Sequence, residues 1–116
     1  MKTRIFPQIF VFTIFVLFSM NVSAQKVYSV DSRYDADVLV YVVDSKYDAD
    51  LCVYKVSSQY DADGNEGLWF FEDSKYDADK LIYFVDSKYD ADLLIYFVDS
   101  RYDAEWMESS KKHLMY

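Results

Sequence analysis

One segment of this protein reads Leu81-Ile82-Tyr83-Phe84-Val85-Asp86-Ser87-Lys88-Tyr89-Asp90-Ala91-Asp92. The segment recurs with small changes along the chain, and each of its six copies is marked by one tyrosine: Tyr34, Tyr47, Tyr60, Tyr76, Tyr89 and Tyr102. These tyrosines are 13, 13, 16, 13 and 13 residues apart, and the three extra residues fall in Gly64–Gly67. The chain therefore consists of two halves of three units each, which indicates an internal duplication.

The first part of each unit predicts a β-strand. Segments such as Leu94-Ile95-Tyr96-Phe97-Val98 are dominated by β-branched and aromatic residues, and helix formers are scarce. One column of the repeat stays apolar in all six units, which predicts a core position. Its members are Val27, Val40, Val53, Trp69, Ile82 and Ile95.

The second part of each unit, such as residues 44–50, allows two interpretations. Asp and Ser favour turns, but the segment has no Gly or Pro and continues the alternation of the strand before it. A single helical turn would be marginal. We favour an extended segment of roughly ten residues per unit, with a bend near Asp50-Leu51. In that interpretation Tyr41 and Tyr47 lie on the inward face, and the outward face carries Asp, Lys and Asp.

Thirteen residues are short for one coil of a β-solenoid, which needs about eighteen. We therefore expect the units to interleave in one closed or wrapped sheet, which would also hide strand edges rich in Val, Ile, Phe and Tyr. The predicted fold class is all-β: a compact single domain of six 13-residue repeats in two pseudo-symmetric halves.

Residues 1–24 are predicted to be a signal peptide. Lys2 and Arg4 precede an apolar run over residues 9–20, and Val22-Ser23-Ala24 is typical of a cleavage site. An uncleaved anchor is the alternative, but the run is shorter than the roughly 20 residues of a membrane span. Cleavage after Ala24 would leave residues 25–116 as one secreted or periplasmic domain with no membrane span.

Loss of Lys2 and Arg4 would change the net charge from −8 to −10. Such a surface repels nucleic acid and favours basic or cationic partners. The single Cys52 cannot form an internal disulfide and is expected to be a small buried apolar residue.

The whole pattern resembles the septoil knot domain family of small bacterial proteins. The resemblance is carried by the repeated unit, by residues 62–71, and by the tail, in which Trp106 precedes residues 110–116. It implies a compact, mostly β, knotted single domain and brings no known activity. The chain differs from the usual unit of the family at Asp48, where Gln is common, and at Glu105, near which Gly is common.

The acidic columns raise the possibility of a cation site. Each Lys or Arg of the outward face is flanked by two acids, which is typical of a solvated face with weak ion pairs. The sharper hypothesis is Ca²⁺ bound by the loop Asp61–Glu72, with ligands at Asp61, Asp63, Asn65 and Glu72. Glu66 stands where a calcium loop needs Gly, and the two flanks look like strands, so the interpretation without a cofactor is favoured.

No catalytic constellation is present in the sequence. His113 is the only histidine, and it follows two lysines on the tail, where it is expected to be a surface residue. We interpret the tyrosines as core residues, and the alternative is an exposed row that grips sugar or peptide. The sequence therefore favours a rigid, non-enzymatic exported structural or binding module, and the alternative is a cation-binding domain. The repeat is broken only at Gly64–Gly67 and at Glu72, so if the protein has a site, it is expected there.

Overall fold

A computed structural model of the protein describes residues 25–62 and 64–116. Their secondary structure is confined to short strands and 3₁₀ helices. The strands are β1 (Lys26–Ser29), β2 (Val38–Val42), β3 (Leu51–Lys55), β4 (Leu68–Phe71), β5 (Lys80–Phe84), β6 (Leu93–Phe97) and β7 (Glu105–Trp106). The 3₁₀ helices are η1 (Arg33–Asp35), η2 (Lys46–Asp48), η3 (Gln59–Asp61), η4 (Lys75–Asp77), η5 (Lys88–Asp90), η6 (Arg101–Asp103) and η7 (Ser109–Met115). We number the repeat units 1–6 after their strands.

Strands of the two halves alternate around a closed sheet. The order is β4-β1-β5-β2-β6-β3, and a further pairing of β3 with β4 closes the sheet into a six-stranded parallel barrel. The predicted interleaving of units in one closed sheet is thereby confirmed. Each half makes one circuit of the barrel, and the second circuit fills the gaps that the first one leaves.

Each connection between successive strands of the same half crosses one strand of the other half. Residues 30–37, for example, run from β1 to β2 across β5, which pairs with both. The crossover is short because the strands are only four or five residues long and one strand is crossed. The step from β3 to β4 differs, because these two strands are direct neighbours. The three extra residues at Gly64–Gly67 lie in this connection and shift the second circuit by one strand.

The core lies inside the barrel and contains the predicted apolar column. Val27, Val40, Val53, Trp69, Ile82 and Ile95 are all fully buried, and Val38, Leu51, Leu93 and Met115 join them. Tyr41 alternates with the buried Val40 along β2 and is only half-buried, so it points away from the barrel interior. The prediction that Tyr41 and its equivalents line the inner face is therefore wrong, because the residues that alternate with them fill the barrel.

The second part of each unit is also different from our prediction. It is not an extension of the strand but a 3₁₀ turn, and its tyrosine lies in solvent. In unit 2 the Ser45 hydroxyl accepts a hydrogen bond from Tyr47 N at 3.2 Å, and Ala49 N donates to the Lys46 carbonyl. All six serines of the motif cap their turns in this way. These local hydrogen bonds outcompete extension of the strand.

The last aspartate of the motif ties the two halves together. The N–H of Asp92 donates to the Leu39 carbonyl at 2.7 Å, and its carboxylate accepts from Leu39 N at 2.9 Å. The same two-bond clamp recurs at Asp37 with Leu81, at Asp50 with Leu94 and at Asp79 with Lys26. One residue thus pairs with both backbone groups of a residue in a strand of the other half, which fixes where β1, β2, β5 and β6 begin.

Candidate functional site

The most exposed aromatic side chains of the described residues belong to the six repeat turns. Between 81% and 91% of each tyrosine is exposed: Tyr34, Tyr47, Tyr60, Tyr76, Tyr89 and Tyr102. Each turn lies against one strand that belongs to the other half of the repeat. The pairs, in their order around the barrel, are η4 on β1, η1 on β5, η5 on β2, η2 on β6, η6 on β3 and η3 on β4. The six rings therefore surround the barrel, and we call them the tyrosine belt.

The exposure of the belt follows from the local structure of the motif. The hydrogen bonds that stabilise the motif are formed by the capping serine, by the backbone N–H of the alanine that follows the turn, and by the last aspartate, which bonds to a strand of the other half. None of these bonds involves the tyrosine ring. A single exposed tyrosine needs no explanation, but here the same position of all six repeat units places a tyrosine in solvent. Our interpretation of these tyrosines as core residues is wrong, and their exposure makes them the leading candidates for recognition.

Three clefts lie between neighbouring units of the two halves. Cleft A separates units 1 and 4, cleft B separates units 2 and 5, and cleft C separates units 2 and 6. Their volumes are about 390, 500 and 230 Å³, respectively. The first two are related by the thirteen-residue repeat, since each lining residue that we name in cleft A has its equivalent in cleft B.

Each cleft combines a half-buried tyrosine, carboxylates and one lysine. In cleft B, unit 2 supplies Tyr41, Asp44 and Asp48, whereas unit 5 supplies Asp86, Lys88 and Tyr89. In cleft A the equivalents are Tyr28, Asp31 and Asp35 with Asp73, Lys75 and Tyr76. Cleft C contains Tyr96, Asp99 and Asp103 with Lys46 and Glu105. Each cleft thus carries three carboxylates and one ammonium group.

The predicted metal ligands that the structure describes, Asp61, Asn65 and Glu72, form no cluster with other described acidic, histidine or cysteine side chains that could hold a metal ion. Asp61 is exposed at the end of η3, and Asp63 lies outside the described residues. Asn65 is buried and donates from its amide to the Lys112 carbonyl at 3.0 Å. Glu72 follows β4, and its Oε2 is buried without a hydrogen-bond partner among the described residues. In the described part of the chain, no three His, Cys, Asp or Glu residues could share a metal ion. Calcium binding by this loop stays a prediction.

The interrupted part of the repeat has a structural role in closing the barrel, and both of its glycines have positive φ, as expected for residues that link the two halves. Gly64–Gly67, β7 and η7 close the barrel along the edge of β3, and we call this region the seam. At one end of β3 the partner is β4, and at the other end it is β7, which runs antiparallel. A Cβ at Gly67, where φ is +93°, would overlap the Cys52 carbonyl oxygen, so this position requires glycine.

Several polar side chains of the seam form hydrogen bonds or ion pairs within the domain. Trp106 Nε1 donates to the Asn65 carbonyl at 2.7 Å, and the Gln25 amide donates to the Met115 carbonyl at 2.9 Å. Two ion pairs join the tail to the rest of the domain: Lys111 with Asp50 at 3.0 Å, and Lys112 with Glu66 at 2.9 Å. The hydrogen bond that Lys112 donates to the Glu66 carboxylate raises the pKa of Lys112.

Cys52 also lies at the seam. Its side chain is 1% exposed, and burial, with a smaller effect from the charge of Glu105, raises the pKa of its thiol. The prediction of a buried cysteine is therefore confirmed. His113 is exposed, and its Nδ1 lies 3.0 Å from the Ser110 carbonyl oxygen. No helix in residues 25–62 and 64–116 is long and apolar enough to cross a membrane.

A family model for the 7(1) septoil knot domain matches residues 24–107. The chain belongs to this family. The match spans all six repeat units, and family membership supports a knotted β domain. Residues 108–116, which include η7, lie beyond the matched region. Neither the curated proteins nor the solved structures contain a significant match to this septoil knot protein.

Proposed function

We propose that this septoil knot protein is a non-enzymatic, exported recognition module that binds its partner through the tyrosine belt. The observation that carries the proposal is the exposure of all six rings on capped turns of a closed barrel. Tyrosine is enriched in binding sites because a rigid, amphipathic ring gives a large contact area at a low cost in side-chain entropy. Here each ring is displayed by a turn that its own hydrogen bonds hold in place.

Multiplicity supports a recognition role over a purely structural one. The motif presents the same group six times around the barrel, so a partner with repeated features could engage several copies together. Such multivalent contact raises the overall affinity far above that of one site. A purely structural unit has no use for six solvated aromatic rings, which increase the risk of aggregation.

The test replaces all six belt tyrosines by serine. Because the rings are in solvent, the variant should keep its circular dichroism spectrum and nearly all of its melting temperature. Binding is measured by fluorescence anisotropy with a defined panel of labelled basic, acidic and neutral peptides and neutral oligosaccharides. The wild type should bind at least one member, and the variant should lose at least about tenfold in affinity. Absence of binding by the wild type, or equal binding by the variant, would contradict the proposal.

Export is supported by the predicted signal peptide in residues 1–24 and is tested separately. Mass spectrometry of the protein recovered from the periplasm or the medium should give a chain that begins at Gln25. Recovery of the full-length chain from the cytoplasm alone would show that this part of the proposal is wrong. A matched control replaces Ala24 by a bulky residue, which should block cleavage after this position.

A further inference from the structure

We propose that the three clefts bind lysine or arginine side chains of a basic, extended peptide. This inference rests on the proposed recognition role of the tyrosine belt and adds the chemistry of the partner. It depends on three observations: the clefts repeat, their charge is negative, and the tyrosine beside each cleft already accepts a cation from within the protein.

The clefts are repeated versions of one arrangement. Cleft B is lined by Asp44 and Asp48 of unit 2 and by Asp86 and Lys88 of unit 5. Cleft A has the same residue types at positions thirteen residues earlier, and cleft C has the equivalent acids of unit 6. Clefts B and C are neighbours because β2 lies between β5 and β6 in the sheet. A partner that presents cations at regular intervals along an extended chain matches such an arrangement.

The charge of the clefts selects a cation. Three carboxylates against one lysine leave a net charge of −2 in each cleft. The acids on the walls of cleft B are exposed, so they are solvated in the free protein and can pair with an incoming ammonium or guanidinium group. An acidic partner would instead be repelled.

The aromatic component favours the same partner. Lys46, Lys75 and Lys88 each place Nζ over the ring of the following tyrosine, at 5.6, 5.6 and 5.7 Å from its centroid. These three lysines line clefts C, A and B, respectively. Cations stack on tyrosine faces through electrostatic attraction to the ring, and arginine does so more often than lysine. Because more than four-fifths of each of these tyrosines is still exposed, the ring can accept a second cation from a partner.

A bound side chain fits these clefts better than a bare metal ion. Their volumes of about 230 to 500 Å³ lie near the lower end of the range for small-molecule pockets, about 300 to 1,000 Å³. Within the described residues, no three acidic, histidine or cysteine groups approach closely enough to hold one metal ion. The acids therefore surround space for a larger cation on a side chain.

The experiment measures binding of labelled octa-arginine by fluorescence anisotropy, with octa-glutamate, a neutral glycine-serine peptide and a neutral oligosaccharide as parallel probes. The test variant combines Asp44→Asn with Asp48→Asn in cleft B. The matched control combines Asp61→Asn with Asp77→Asn, which removes the same charge from side chains that line none of the three clefts. Octa-arginine should bind about fivefold more weakly to the test variant, while the control should change by less than about twofold.

The remaining outcomes separate the two proposals. An equal loss in both variants would mean that only the overall charge attracts octa-arginine, and the cleft inference would be wrong. Binding of the neutral oligosaccharide or neutral peptide through the belt, without binding of octa-arginine, would overturn the inference and leave the proposed function intact. Failure of every probe would overturn both. If the test variant does not fold, Asp44→Ser replaces it, since unit 3 has Ser57 at the equivalent position.

Discussion

In the repeated turns, hydrogen bonds between residues close in sequence stabilise the turn, and the tyrosine ring lies in solvent. At the seam the reverse holds, because the Trp106 ring is half-buried and its Nε1 is bonded to the carbonyl of Asn65. The turns are built from neighbours in sequence, whereas the seam joins residues that are up to 90 positions apart, such as Gln25 and Met115. The repeat thus leaves groups free to bind, and the interruption of the repeat uses its groups to close the barrel.

This comparison changes where a functional site is sought. An interrupted repeat suggests a site, which is why the sequence directs attention to Gly64–Gly67 and Glu72. Contacts within the domain involve residues of the Gly64–Gly67 segment. Gly67 lies against the Cys52 carbonyl, the Asn65 amide nitrogen donates to the Lys112 carbonyl, and the Lys112 side chain pairs with Glu66. The six most exposed aromatic side chains of the described residues belong instead to the regular part of the sequence.

The largest expected effect concerns the seam. Gly67→Ala should destabilise the domain by about 2 to 4 kcal/mol, because φ is +93° and the new Cβ would overlap the Cys52 carbonyl oxygen. Gly64→Ala is the control, since φ is +66° but nothing lies within 4 Å of the place that a Cβ would occupy, so only about 1 kcal/mol is expected. Urea unfolding measures both. Equal losses would show that backbone conformation, and not close packing at the seam, explains the need for glycine.

The second effect concerns the aspartate clamp between the halves. Asp92→Ala removes the carboxylate that accepts from Leu39 N at 2.9 Å, and should reduce the free energy of unfolding by about 1 to 2 kcal/mol. Asp90→Ala in the adjacent turn removes an exposed carboxylate and should change it by less than about 0.5 kcal/mol. If the two substitutions were equivalent, the last aspartate would have no special role in the motif.

A smaller effect separates two adjacent serines of unit 3. Ser58 caps η3 by accepting from Tyr60 N at 3.2 Å, so Ser58→Ala should destabilise the domain by about 0.5 to 1 kcal/mol. Ser57→Ala should be nearly neutral, because Ser57 is exposed and stands at the position of the first aspartate of other units. Thermal unfolding of the two variants gives the comparison. A larger loss at Ser57 would contradict the assignment of Ser58 as the cap.

The strands and the closed, interleaved sheet could be predicted because they depend on local residue type and on the period. The column that contains Val40 and Ile82 is apolar in every unit, and a thirteen-residue unit is too short to form a coil of its own. The predicted direction of the belt tyrosines is wrong because it extends strict alternation past Val43, whereas for Tyr41 the prediction chooses the wrong face of a strand that does alternate. The signal that identifies a turn is present in Ser45-Lys46-Tyr47-Asp48, where a capping serine precedes an acid by three residues. The seam contacts could not be predicted, since their partners are distant in sequence and belong to no repeated pattern.

The smallest expected effect is the change in melting temperature on adding Ca²⁺, which tests whether the seam also binds a cation. Replacing a chelator by millimolar Ca²⁺ should shift the melting temperature by less than about one degree, because a ligand stabilises a protein only by binding its folded state. Of the predicted ligands, Asp61 is exposed on η3, and within the described residues no three acidic, histidine or cysteine side chains could share a metal ion. A rise of several degrees that disappears in the variant combining Asp61→Asn with Asp63→Asn would show that the seam is a binding site as well as a closure. The contrast between a structural seam and a binding belt would then no longer hold.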